Sequence, residues 1–141
     1  QKMFFNTYAC NPVACAVGRA VLRVMEEEAL MENCRARGVQ FSAGLHDLCA
    51  RFPDTYREAR GTGLFQGLEI AGVTPEECDG SGGRQARAIT LHRRRREVGV
   101  IAGRGSAAGN VFRVQPPMCI TADEVTHVLA ALEQLALEQE Q

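Results

Sequence analysis

Residues 57–70 read REARGTGLFQGLEI, and the fold turns on where the apolar side chains fall in them. Leu64, Leu68 and Ile70 lie on one face of an extended chain, with Gln66 between them and Phe65 and Glu69 opposite. A period of two marks a strand with one buried side. The residues upstream repeat differently. Cys34, Gly38, Phe41, Leu45, Leu48 and Phe52 step by fours and threes, the period of a helix, and Pro53 closes the run. Earlier still, Asn11-Pro12 predicts a helix start, because Asn can cap and Pro tolerates the first helical position. Val13, Val17, Ala20, Val21, Val24 and Met25 follow at helical spacing, and Glu26, Glu27 and Glu28 face water near the end of the run.

Downstream, GVTPEECDGSGG at 72–83 reads as a turn-rich surface loop. Residues 84–97 are expected to form a weakly patterned helix. Val98 to Ala102 and Val111 to Val114 read as short strands around the Gly-rich GRGSAAGN, and Pro116-Pro117 ends the second. Thr121 with Glu124 three residues later is a capping box. Val125, Val128, Leu129, Leu132 and Leu135 give the last helix its apolar stripe. The expected order is helix, helix, strand, helix, strand, strand, helix. That is an α+β domain: a small, mostly antiparallel sheet covered by helices.

At 141 residues, 45% hydrophobic and 23% charged, the chain is one domain's worth of globular sequence. A net charge of −1 provides no field to draw it onto nucleic acid or an acidic membrane, and neither is expected as a partner. No apolar run approaches the roughly 20 residues that span a bilayer. The cysteines, at 10, 15, 34, 49, 78 and 119, form no CxxC pair, and no histidine stands at zinc-ligand spacing from them. They are expected as reduced thiols, several buried as small hydrophobes, in a reducing compartment.

Four motifs carry candidate chemistry. RGTGLFQG places Gly61, Gly63 and Gly67 as GxGxxxG ahead of a strand, whereas a dinucleotide loop needs GxGxxG between a strand and a helix. Tight turns and strand packing account for these glycines. HRRRRE at 92–97 spreads four arginines around a helix without interleaved aromatics, which predicts a solvated face over apolar neighbours. In NVFRVQPP, Phe112 and Val114 share a core-facing side and Arg113 points to the other. There its planar fork suits a carboxylate or phosphate, with a surface acid as the plainer partner. Thr7 sits just before a helix N-terminus, where free N–H groups favour an anion; a turn or cap is the alternative. His46, His92 and His127 have no partnering acid or nucleophile pattern.

Together these residues resemble the C-terminal part of the class-III, pyridoxal-phosphate-dependent aminotransferases of fold type I. FNTYACNPVACAVGRAVLRVMEEEAL resembles the family's Thr and Asn-Pro ahead of a long Ala-rich helix. REARGTGLFQGLEI is similar to its Arg-Gly-x-Gly-Leu strand, and GVIAGRGSAAGNVFRVQPPMCITADEV to its closing Gly-Val, Arg and Pro-Pro segment. GRGS and PMCIT bring the likeness nearest the branch that moves an amino group from alanine to glyoxylate. A branch of phospho-lyases acting on ethanolamine phosphate is also similar.

The resemblance implies that Thr7 binds the phosphate of pyridoxal 5'-phosphate in the neighbouring subunit of a homodimer with a composite active site. It implies that Arg113 receives the substrate's α-carboxylate, and that an amino acid and an oxo-acid are the substrates. Ala9-Cys10 stands where the family has Gly-Gly, so the loop beside the phosphate is expected to sit differently. The lone lysine, Lys2, is too near Thr7 to be the family's cofactor-bound lysine. By this likeness residues 1–30 form the dimer-contact loop and linking helix, and residues 31–141 the small domain of a longer enzyme. As an isolated chain it would be inactive, a docking module at most, with apolar surface exposed on the first helix and on the sheet's substrate-facing side. The parent enzyme is expected in the cytoplasm or the mitochondrial matrix.

Overall fold

The structure, a computed structural model, describes residues 11–72, 94–106 and 109–139. Helix α1 runs Pro12–Glu27 and α2 Leu30–Arg51. Strands β1 (Tyr56–Thr62), β2 (Phe65–Ile70), β3 (Gly103–Gly105) and β4 (Val111–Val114) follow, and α3 (Ala122–Leu137) closes the chain. The strands form one antiparallel sheet in the order β1-β2-β4-β3, with α2 and α3 packed on one face. The α+β architecture expected from the sequence is the one found.

Helices α1 and α3 start at residues that cap them, whereas α2 follows Ala29 with no side-chain cap. The Asn11 carboxamide oxygen accepts from the backbone N–H of Val13 and Ala14, with Pro12 in the first turn. The Thr121 hydroxyl accepts from the Glu124 N–H while the Glu124 carboxylate accepts from the Thr121 N–H, completing the box. The Asn33 side-chain amide donates to the carbonyls of Met118 and Ile120, tying the start of α2 to the chain that follows β4.

Phe41, Leu45 and Leu48 of α2 meet Tyr56, Ala59, Leu68, Ile70, Phe112 and Val114 of the sheet and Val125, Leu132 and Leu135 of α3 in one core. The Tyr56 hydroxyl, buried there, donates to the Leu132 carbonyl at 2.8 Å. Burial pushes its pKa well above the ordinary phenol value, with Cys49 adding to the shift. In contrast, α1 buries no residue at all; Val13, Val17, Val21 and Leu22 are each more than half exposed.

Several expectations are corrected. The stretch 57–70 is two strands, not one: Gly63, at φ +54°, and Leu64 make a two-residue turn that pairs Thr62 with Phe65. Leu64 therefore reaches the core from a turn. Val98 to Ala102 is not a strand. Residues 94–99 form a helical turn closed by bonds to the Arg94, Arg95 and Arg96 carbonyls, and Gly99 ends it at φ +81°. The alternation persists, because Val100 and Ala102 pack on Ala131, but ladder pairing begins only at Gly103. Residues 84–93 of the expected helix lie outside the described residues, as does the loop from 73.

Two further corrections concern side chains. Arg95 of the HRRRRE run is buried, its guanidinium 5.8 Å from the Phe112 ring centroid, rather than solvated. Burial lowers its pKa, and Arg96 adds to this. No cysteine among the described residues is fully buried. Cys34 and Cys49 lie at the core's edge and Cys15 and Cys119 are exposed, all as free thiols; Cys10 and Cys78 lie outside the described residues.

Candidate substrate-binding face of the sheet

The face of the sheet turned away from α2 and α3 follows from register. Directly opposed residues of antiparallel strands share a face. Ala59, Leu68 and Phe112 form a core-facing row; the next row, Arg60, Gly67, Arg113 and Gly103, must therefore face the other way. Burial agrees: Phe112 and Val114 are buried and Arg113 is exposed, as the alternation in NVFRVQPP predicts.

The two arginines in this row differ in electrostatic state. Arg60 donates to Glu58 at 2.9 Å and to Glu69 at 2.7 Å, and Arg57 reaches Glu69 at 3.4 Å. The Glu69 hydrogen bond, with the charges of Glu69 and Glu58, holds the Arg60 guanidinium above its usual pKa. Arg113 makes no ion pair or side-chain hydrogen bond among the described residues. Among the described residues no surface acid pairs with it, and Glu58 and Glu69 are engaged by Arg60 and Arg57. Between the two arginines lies an open cavity of about 360 Å³, floored by Gly67 and Gly105 and walled by Phe65 and Val111.

Of the residues singled out by sequence, Arg113 takes a place suited to binding an anion, and Thr7 lies outside the described residues with Ala9-Cys10 and Lys2. His46 is occupied locally, its Nδ1 2.7 Å from the Ser42 carbonyl oxygen. Gly103 lies directly opposite Arg113 in this row, and the GRG spacing at 103–105 puts two glycines two residues apart on one face of β3.

Residues 4–136 match the family described as aminotransferase class-III. The chain belongs to the class-III aminotransferases. An acetylornithine aminotransferase from Gloeobacter violaceus (strain ATCC 29082 / PCC 7421) is 38% identical over 128 residues, which is 91% of this chain and 28% of that protein. Arabidopsis thaliana alanine–glyoxylate aminotransferase 2 homolog 2, mitochondrial, is 34% identical over 135 residues, covering 94% of this chain and 27% of its own length. A phospholyase from Arthrobacter, solved in complex with phosphoethanolamine, superposes with a TM-score of 0.79 at 33% identity over 96% of this chain and 31% of that one. The chain thus spans about a quarter to a third of the class-III proteins it matches. The family is pyridoxal-phosphate-dependent, and its substrates are in general amino acids and oxo-acids. Among the described residues, no helix is long and apolar enough to cross a membrane.

Proposed function

We propose that the polypeptide carrying this chain transfers an amino group from an amino acid to an oxo-acid, with alanine and glyoxylate as the preferred pair, and that Arg113 binds the substrate's α-carboxylate. The carrying observation is the state of Arg113: an exposed guanidinium on the open sheet face, with no anionic partner among the described residues, beside a neighbour whose own charge is satisfied. Likeness to the Arabidopsis alanine–glyoxylate relative supports the substrate pair.

The described residues fit the carboxylate end of such a site. Pyridoxal phosphate, when bound, would supply an electron sink for the substrate's α-carbon. Thr7 would hold its phosphate through hydroxyl and backbone N–H, in the partner subunit of a homodimer. Residues 1–30 are then the dimer-contact segment with its linking helix, and residues 31–141 the small domain. The covalent lysine lies in the rest of the polypeptide, since Lys2 stands only five residues before Thr7.

Arg113 does its work by geometry. A guanidinium accepts a carboxylate through two parallel N–H···O bonds, which fixes the plane of the carboxylate and so the direction of the α-C–H. Because the fork is planar and always charged, lysine cannot reproduce that orientation. In the full-length enzyme, Arg113→Ala should lower kcat/KM for amino acids on the order of a hundredfold, as expected for losing a charged bidentate contact. Turnover of an amine without a carboxylate should change little.

A phospho-lyase reading draws on the Arthrobacter neighbour, and it makes a different demand. Release of inorganic phosphate from ethanolamine phosphate, exceeding amino transfer from alanine, would favour it over the transaminase. The isolated 141-residue chain should be inactive alone: with pyridoxal phosphate added, it should transfer no amino group from alanine to glyoxylate.

A further inference from the structure

We infer that Gly103 is a positioning residue for the Arg113 guanidinium, keeping clear the strip of β3 along which that side chain lies. The inference rests on the carboxylate reading of Arg113. Gly103 and Arg113 are direct cross-strand partners on the open face. A Cβ added at Gly103 would stand 2.7 Å from Arg113 Nε, 2.9 Å from its Nη2 and 3.2 Å from Cζ. Nonbonded carbon contacts are favourable at about 3.5–4.0 Å, so the guanidinium occupies the space a side chain would need.

The crowding is one-sided. On the β2 flank, a Cβ at Gly67 would meet Val111 Cγ1 at 3.2 Å and does not meet Arg113. The side chain therefore leans toward β3, and the missing Cβ of Gly103 sets how flat it lies. Gly103 is also not at positive φ, so alanine can adopt its backbone angles. What must yield to an added methyl group is the far end of a flexible arginine, not the sheet. Gly103→Ala should leave the fold intact and displace the fork, which separates positioning from stability.

The test uses the full-length, cofactor-loaded enzyme in four forms: wild type, G103A, R113A and the double variant. KM and kcat are measured for alanine and for a primary amine without a carboxylate; calorimetry gives the Kd of propionate, a carboxylate that cannot react. G103A should raise KM for alanine and Kd for propionate on the order of tenfold, as for a misplaced bidentate contact. It should leave the carboxylate-free amine unaffected and the melting temperature within about 4 °C. In the R113A background, G103A should add nothing, because the group it displaces is gone.

Loss of carboxylate binding in R113A with no change in G103A would overturn the inference and leave the Arg113 reading standing. R113A without effect would overturn the reading itself. An equal penalty from G103A in both backgrounds, or a G103A protein that fails to fold, would show that the methyl group acts on the sheet and not on the arginine.

Discussion

Gly38 is where α2 approaches the β1–β2 turn, and what it meets there is backbone. A Cβ at this position would lie 2.6 Å from the Gly63 Cα and 2.7 Å from the Gly63 carbonyl carbon. No rotamer can relieve that contact, so helix and hairpin must separate. Gly38→Ala should destabilise by about 1–3 kcal/mol, the usual cost of forcing atoms into a filled interior. Gly18 is the opposite case: it sits inside α1 with nothing within 4 Å of the added carbon. Gly18→Ala should gain roughly 0.5–1 kcal/mol of helix stability from reduced backbone freedom. A urea melt checks the loss at Gly38, and amide exchange within α1, which lies outside the core, checks the gain at Gly18. The same added methyl thus has three outcomes in this chain, at Gly18, Gly38 and Gly103, set by whether it meets nothing, backbone or a movable side chain.

Among the elements, α3 shows most clearly how a local signal becomes a stability term. Thr121→Ala removes the acceptor for the Glu124 N–H and should cost about 1 kcal/mol, as N-cap losses generally do. Hydrogen bonds from the Thr121 backbone and then its hydroxyl hold the Glu124 carboxyl below its ordinary pKa. The sign follows by linkage. A depressed carboxylate contributes its stability above the ordinary carboxylate range and loses it as pH falls through the depressed value. The melting-temperature difference between wild type and Thr121→Ala should therefore shrink on acidification from pH 6 to about 2.

Caps of this kind were legible because each needs only three or four adjacent residues. The starts of α1 and α3 and the Phe112/Arg113/Val114 alternation are legible in the chain alone, whereas the start of α2 carries no capping signal. β1 was not separated from β2, because Arg57, Glu58, Arg60 and Thr62 carry no apolar alternation and a bulge after Tyr56 breaks the register. Val98 to Ala102 misled for the reverse reason: its period-two burial is real, yet its partner is a helix rather than a strand. For the site, Arg113 was visible as a face, but the engagement of Arg60 by Glu58 and Glu69 is a cross-strand fact no local pattern encodes.

At the scale of the molecule, burial divides the chain near Ala29. Among the described residues from α2 onward, both helices and all strands but edge strand β3 contribute to one core, whereas α1 contributes nothing to it. The link between them is strained, since Ala29 adopts φ +49°, a left-handed conformation costly for a residue with a Cβ. A 16-residue helix that buries nothing must rely on its own caps and propensity, and helices of that length are marginal in water. In the isolated 141-residue chain, α1 should therefore exchange its amide hydrogens orders of magnitude faster than α2 and α3. A polypeptide beginning at Ala29 should melt within about 4 °C of the 141-residue chain, because the deletion removes no core contact. Leu45→Ala, at a position with no exposed surface, should instead cost about 2–5 kcal/mol. If the shortened chain lost its cooperative transition, α1 would belong to the folding unit and the division near residue 30 would be wrong. If it melts alongside the longer one, the apolar stripe from Val13 to Met25 adds nothing to the core formed by the described residues, which leaves it free to pack against other polypeptide, as the domain reading requires.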